Sequence, residues 1–167
     1  MPNSVTHVIL TAVLVALFRD YVAHKKKFTL NMVFLGGVAG LLPDIDVPLY
    51  WLVHDFLGFQ VPYFHRLFTH SLAFILLFLA LGIFFFFKNK HVAILFFIVT
   101  FGVFFHIVLD FLLLGTVMPF YPFSLAEYGL NLLSYVKLTN FIEGLDAFVL
   151  LAWLFYEERK HKILDFI

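Results

Sequence analysis

The chain has 167 residues, of which 63% are hydrophobic, 20% aromatic and 13% charged, with zero formal net charge and no cysteine. A soluble domain carries roughly 25% charged and about 45–50% apolar residues, and a domain this size still exposes much of its surface, so lipid is the expected solvent. Zero net charge gives no case for a nucleic-acid partner, and the lack of cysteine excludes disulfides and thiolate metal ligands. The length fits a single integral membrane domain over residues 1–167. Five apolar segments follow in chain order. The first, Ser4 to Phe18, lacks a positive leader and a small-residue cleavage site, so a retained helix is expected. The second, Thr29 to Leu42, carries Gly36, Gly37 and Gly40, which let another helix approach closely. The third spans His70 to Phe87, the fourth Val92 to Leu114 and the fifth Phe141 to Tyr156. Since about 20 residues are needed to cross roughly 30 Å of hydrocarbon, the third and fourth cross easily, whereas the other three are short and partly embedded. The fold class is therefore all-α: a polytopic membrane bundle of about five helices with short interfacial helices, one of them over Val47 to Phe59.

Lysine and arginine orient the bundle. Five spans put Arg19, Lys25, Lys26, Lys27, Lys88, Lys90, Arg159, Lys160 and Lys162 on one side, and only Arg66 and Lys137 on the other. The positive-inside rule then places the N-terminus outside and the C-terminus in the cytoplasm. Aromatic residues in the two irregular stretches, such as Trp51, Tyr63 and Tyr121, suit an interfacial belt.

On this topology the histidines and carboxylates collect at the outer face. His7 lies at the start of span one, and Asp44 and Asp46 follow span two. His65, Arg66 and His70 lead into span three, and His106 and Asp110 sit in the outer half of span four. Ionisable groups inside spans are costly, so they pair, line a cavity or bind an ion. The i, i+4 spacing of His106 and Asp110 stacks both on one helical face. Imidazole with carboxylate suits Zn, Mn or Fe better than Ca or Mg, and the set suffices for one or two ions. Blander readings stand beside this one. Pro43 stops a helix, Thr69 caps span three, Arg66 pairs with Asp44 or a lipid phosphate, and His106 with Asp110 forms a buried hydrogen-bonded pair. Asn140 and Glu143 match a capping box, Asp146 has no evident partner, His54 and Asp55 belong to the surface helix, and His24, His91 and His161 read as solvated.

Taken together, Thr6-His7, Leu42-Pro43-Asp44-Ile45-Asp46, His65-Arg66-x-x-Thr69-His70-Ser71, His106-x-x-x-Asp110 and Pro119-Phe120 resemble the YdjM-like family over roughly residues 5 to 123. Leu67 and Phe105 depart from the smaller residues usual there, which touches packing and leaves the ligands intact. The family's members are described as inner-membrane, metal-dependent hydrolases of bacteria and archaea. The resemblance implies a prokaryotic inner-membrane hydrolase holding a divalent metal, zinc before Mn or Fe. The expected ligands are His7, Asp44, His65, His70, His106 and Asp110. Asp46 is expected to support or bridge the metal or to accept a proton, and Arg66 to clamp a phosphoryl oxygen. A phosphoester or lipid headgroup is the expected substrate. The alternatives are a metal-binding carrier or permease, which needs polar groups through the full membrane depth, and a non-catalytic adaptor whose polar cluster staples helices.

Overall fold

Small residues set the closest helix approaches in this molecule. The computed structural model describes residues 4–22, 28–58, 65–113, 115–132 and 139–162, with backbone alone over 139–144. Helix α1 (Ser4–Tyr21) packs against α2 (Leu30–Ala39). A Cβ on Gly36 would lie 2.6 Å from Val15 Cγ2, and one on Gly37 would lie 3.2 Å from Ala12 Cβ. On its other side α2 meets α5 (Lys90–Leu112), where a Cβ on Gly102 would lie 2.6 Å from Ala39 Cβ. In lipid, such backbone proximity supplies the van der Waals contact that drives helix association. Helix α4 (Leu72–Phe86) pairs with α5 as a hairpin, and α5 starts where the Asn89 side chain accepts the backbone N–H groups of His91 and Val92. Helix α6 (Thr139–His161) lies along α1, with Thr6 on Asp146 and Arg19 on Glu157.

These contacts fix helix directions. Along α1 and α6 the paired numbers rise together, so the two are parallel. Gly40 abuts Thr11 and His7, which makes α1 and α2 antiparallel, while Ala39 beside Gly102 and Gly40 beside His106 make α2 and α5 parallel. That is the alternation expected of five successive segments. Every predicted apolar segment appears as a helix. Their lengths rank differently, however. α1, with 18 residues, and α5, with 23, are each long and apolar enough to cross a membrane, and α2 reaches that measure only as a pair with Pro43–Phe56, bent by 52°. α4 has 15 residues, about 22 Å of helix, because His70 belongs to the 3-10 turn Phe68–His70 ahead of it.

Between α2 and that turn, the chain passes through the 3-10 turn Pro43–Ile45, then helix α3 (Asp46–Trp51), which continues as a π turn over Leu52–Phe56. Leu49, Trp51, Leu52 and Phe56 are exposed, as an interfacial helix requires. Among the described residues the extended structure is one isolated bridge, Val117 to Tyr128. An apolar core of Ala12, Val15, Ala16, Phe28, Met32, Val33 and Ile98 fills the bundle between α1, α2 and α5. His24, Lys25, Lys26, Lys27, Tyr63, Lys137 and the side chains of Asn140 and Glu143, on which parts of the orientation and capping expectations rest, lie outside the described residues.

Candidate metal centre

All the predicted ligands come together at one end of the bundle. α5 brings His106 and Asp110 on one face, as their spacing requires, and α1 brings His7 from its first turn. Pro43 ends the α2 path and opens the 3-10 turn that presents Asp44, while the Phe68–His70 turn presents His70. His7, His70, His106 and Asp110 are fully buried.

At the centre stand His70 Nε2, His106 Nε2, Asp44 Oδ1 and Asp110 Oδ2. The two nitrogens are 3.2 Å apart. Asp44 Oδ1 lies 3.6 Å from His70 Nε2 and 3.5 Å from His106 Nε2, and Asp110 Oδ2 lies 3.6 Å and 3.7 Å from the same atoms. A tetrahedral ion with bonds of about 2.0–2.1 Å keeps its ligands about 3.3–3.4 Å apart, so this set can hold one.

The other edge of each imidazole fixes its tautomer. His106 Nδ1 lies 2.6 Å from the Gly40 carbonyl, which only accepts, so Nδ1 carries the proton and donates it. Thr69 donates its hydroxyl proton to Asp46 Oδ2 at 2.7 Å, so its oxygen is left to accept from His70 Nδ1 at 3.1 Å. Both Nε2 atoms therefore present lone pairs to each other and to two carboxylate oxygens. Left alone the four repel, and a cation among them reverses the sign. Outer hydrogen bonds of this kind orient the ligands of metal sites and raise their basicity.

Asp46 binds around this core. Its Oδ1 is 2.8 Å from His65 Nδ1, and its Oδ2 accepts from the Arg66 backbone N–H at 3.0 Å and from Thr69. With both oxygens so committed, Asp46 is built to orient His65 and His70, which fits a supporting role better than that of proton acceptor. His7 stacks on His106 with ring centroids 3.9 Å apart and puts Nε2 3.5 Å from Asp110 Oδ1. His7, Asp110 and His106 thus offer a second group of ligand atoms, and Asp46, His65 and His70 a third.

Arg66 closes the rim. Its Nη2 is 3.2 Å from Asp110 Oδ2, and its Nη1 donates to the Thr116 carbonyl at 3.2 Å; the predicted pairing with Asp44 is replaced by these. Arg66 has φ +65°, and Gly115, at φ +115°, leaves the space its guanidinium fills. A left-handed non-glycine residue at such a place is backbone strain of the sort found at functional sites. Among the described residues, most of the buried polar atoms without a hydrogen-bond partner lie here: both nitrogens of His7, Asp44 Oδ1, both oxygens of Asp110, and Nε and Nη2 of Arg66, whereas Glu157 Oε2 lies at the other end. Each such group left without a partner costs about 1–3 kcal/mol, more when charged, and a metal ion is one thing this cluster could hold.

A family model described as YdjM inner membrane protein matches residues 1–164. The chain belongs to the YdjM family. The match covers nearly its whole length, well past residue 123, and includes α6. No curated protein and no solved structure matches it.

Several residues have roles that the sequence does not disclose. Thr69 supports Asp46 and is no helix cap, since no side chain caps α4. Asp146 accepts from Thr6 at 2.5 Å. At the far end, Arg19 is buried against Glu157 at 2.7 Å, and Asp20 gathers Arg19, Tyr156, Lys160 and His161, so His161 is bound instead of solvated. His54 and Asp55 lie on the interfacial segment, as expected, and there they pair with each other. A deep acid at Asp146 was itself the signal for a partner. No sequence pattern named Thr6.

Proposed function

We propose that this YdjM protein is a metal-dependent hydrolase acting on a phosphoester at the extracytoplasmic face of the membrane. What supports the metal above all is the pair of Nε2 lone pairs held 3.2 Å apart beside Asp44 and Asp110. Two nitrogens and two carboxylate oxygens suit Zn, with Mn or Fe as the alternatives. The bound ion supplies Lewis acidity and lowers the pKa of a coordinated water from near 15.7 to about 7. The chain's own residues do the rest. His70, His106, Asp44 and Asp110 would hold the ion, with His7 completing a second group of candidate ligands beside Asp110 and His106, and Asp46, Thr69 and the Gly40 carbonyl hold the two imidazoles. Nη1 of Arg66 donates to the Thr116 carbonyl and Nη2 faces Asp110 Oδ2 at 3.2 Å, which leaves Nε as the donor for a phosphoryl oxygen. The exposed apolar residues of α3 and of the loop with Phe120 and Phe123 suit a headgroup substrate presented at the lipid surface.

A carrier would need polar groups along the whole bundle. Here the Ala12, Val15, Met32, Val33 and Ile98 core separates the centre from the Arg19 network, which favours a one-sided site. For orientation, Arg66 is the one Lys or Arg at the site end among the described residues, whereas Arg19, Lys88, Lys90, Arg159, Lys160 and Lys162 lie at the other.

The experiment is metal analysis of detergent-purified protein, with hydrolysis of phosphomono- and phosphodiesters assayed before and after chelation. Near-stoichiometric metal with chelator-sensitive hydrolysis supports the reading. Metal without hydrolysis of any phosphoester turns it toward a carrier, and no metal after reloading leaves a helix staple. Because the chain has no native cysteine, Phe123→Cys reports orientation directly. Labelling by an impermeant reagent from the cytoplasmic side alone would reverse it.

A further inference from the structure

Among the described residues α1 runs Ser4–Tyr21, and His7 lies in its first described turn. His7 is fully buried and stacked on His106, and its Nε2 is 3.5 Å from Asp110, with neither ring nitrogen hydrogen-bonded. Its ring is therefore held by no hydrogen bond of its own. The residue before it is held. Thr6, 2% exposed, donates its hydroxyl to Asp146 Oδ2 at 2.5 Å, and Asp146 is 7% exposed.

We propose that Asp146 is a positioning residue for the metal centre: through Thr6 it pins the first turn of α1, so that His7 faces Asp110 and His106. α6 contributes no ligand and acts by this tether. The proposal rests on the metal-centre reading. It assigns α6 a part in the site and separates its two attachments to α1. The Thr6–Asp146 bond serves the centre. The Arg19–Glu157 pair, 2.7 Å long and at the other end of the same two helices, serves stability alone.

The test uses the full chain in detergent, loaded with Co(II), whose visible d–d absorption reports the number and arrangement of ligands. Affinity is read by competition with a chelator. Asp146→Ala and Thr6→Val should each change the spectrum and weaken binding about 10- to 100-fold, the range typical for lost ligand-orienting bonds. Asp146→Asn, whose amide oxygen still accepts from Thr6, and Thr6→Ser should both restore the wild-type spectrum. His7→Ala should reproduce the Asp146→Ala spectrum, and the double variant should add nothing further. Glu157→Gln should lower the melting temperature with the spectrum unchanged. Should Asp146→Ala fail to fold, the Thr6→Val and Thr6→Ser pair decides. Wild-type spectrum and affinity in Thr6→Val, or a spectral change in Glu157→Gln equal to that in Asp146→Ala, would overturn the proposal. A wild type that binds no cobalt would overturn the metal reading itself, and this proposal with it.

Discussion

Gly102→Ala tests whether the packing of α2 on α5 builds the centre. The added Cβ would stand 2.6 Å from Ala39 Cβ, 2.9 Å from the Ala39 carbonyl carbon and 3.0 Å from the Gly36 oxygen. Ordinary carbon contacts are about 3.5–4.0 Å, and two of these neighbours are backbone, so the helices must separate by about 1 Å. One residue beyond Ala39 is Gly40, whose carbonyl holds His106 Nδ1 at 2.6 Å. A 1 Å separation takes that bond to about 3.6 Å, past the limit of a hydrogen bond, and frees the His106 ring. Overpacking should cost about 1–3 kcal/mol of stability, and the lost orientation about 10- to 100-fold in metal affinity. Gly82→Ala is the control. Its Cβ would meet the Phe97 ring at 2.6 Å, a contact as short but with a side chain that can turn aside, between α4 and α5 and several turns from His70. Thermal melting and chelator competition on both variants separate the two effects. If Gly102→Ala is destabilised but binds metal as tightly as wild type, the account of Gly40 holding His106 is wrong.

Other substitutions divide the site into its parts. Asp110→Asn should remove at least about 99% of metal affinity, because it takes away a ligand charge that also faces His7 and Arg66; metal analysis after dialysis checks this. Arg66→Lys should keep metal stoichiometry but lower kcat/KM on phosphoesters by about 100-fold, since an ammonium cannot reproduce the planar fork. Gly115→Ala should behave alike, its Cβ running into the guanidinium at a left-handed backbone position. Arg19→Leu should cost about 3–5 kcal/mol by leaving Glu157 buried without its cation, lowering the melting temperature while metal binding stays intact. Chelation of wild type should lower the melting temperature as well, because a ligand at about 1,000 times its Kd contributes about 4 kcal/mol.

The helices were legible in the sequence because helix formation in lipid is a local matter. An apolar run must satisfy its own backbone hydrogen bonds, so composition and length locate it without reference to the rest of the chain. The close approach at Gly36 and Gly37 could be read the same way, and so could the shared face of His106 and Asp110, whose spacing is fixed by one helix. Because segments alternate in direction, the convergence of His7, Asp44, His65 and His70 at one end also followed. The tertiary structure alone decided which atoms meet. The Gly40 carbonyl is invisible as a residue type, and Thr69 turned its hydroxyl proton to the Asp46 carboxylate, a charged acceptor, instead of offering its oxygen to the N–H groups of a helix end. Thr6 and Asp146 stand 140 residues apart, and Arg19 and Glu157 stand 138 apart. Such pairs leave no local periodicity, since only the burial of two charged or polar groups between parallel helices selects them. Residue identities named the candidate ligands of this centre, and the packing of α1, α2, α5 and α6 set their tautomers, their supports and their distances.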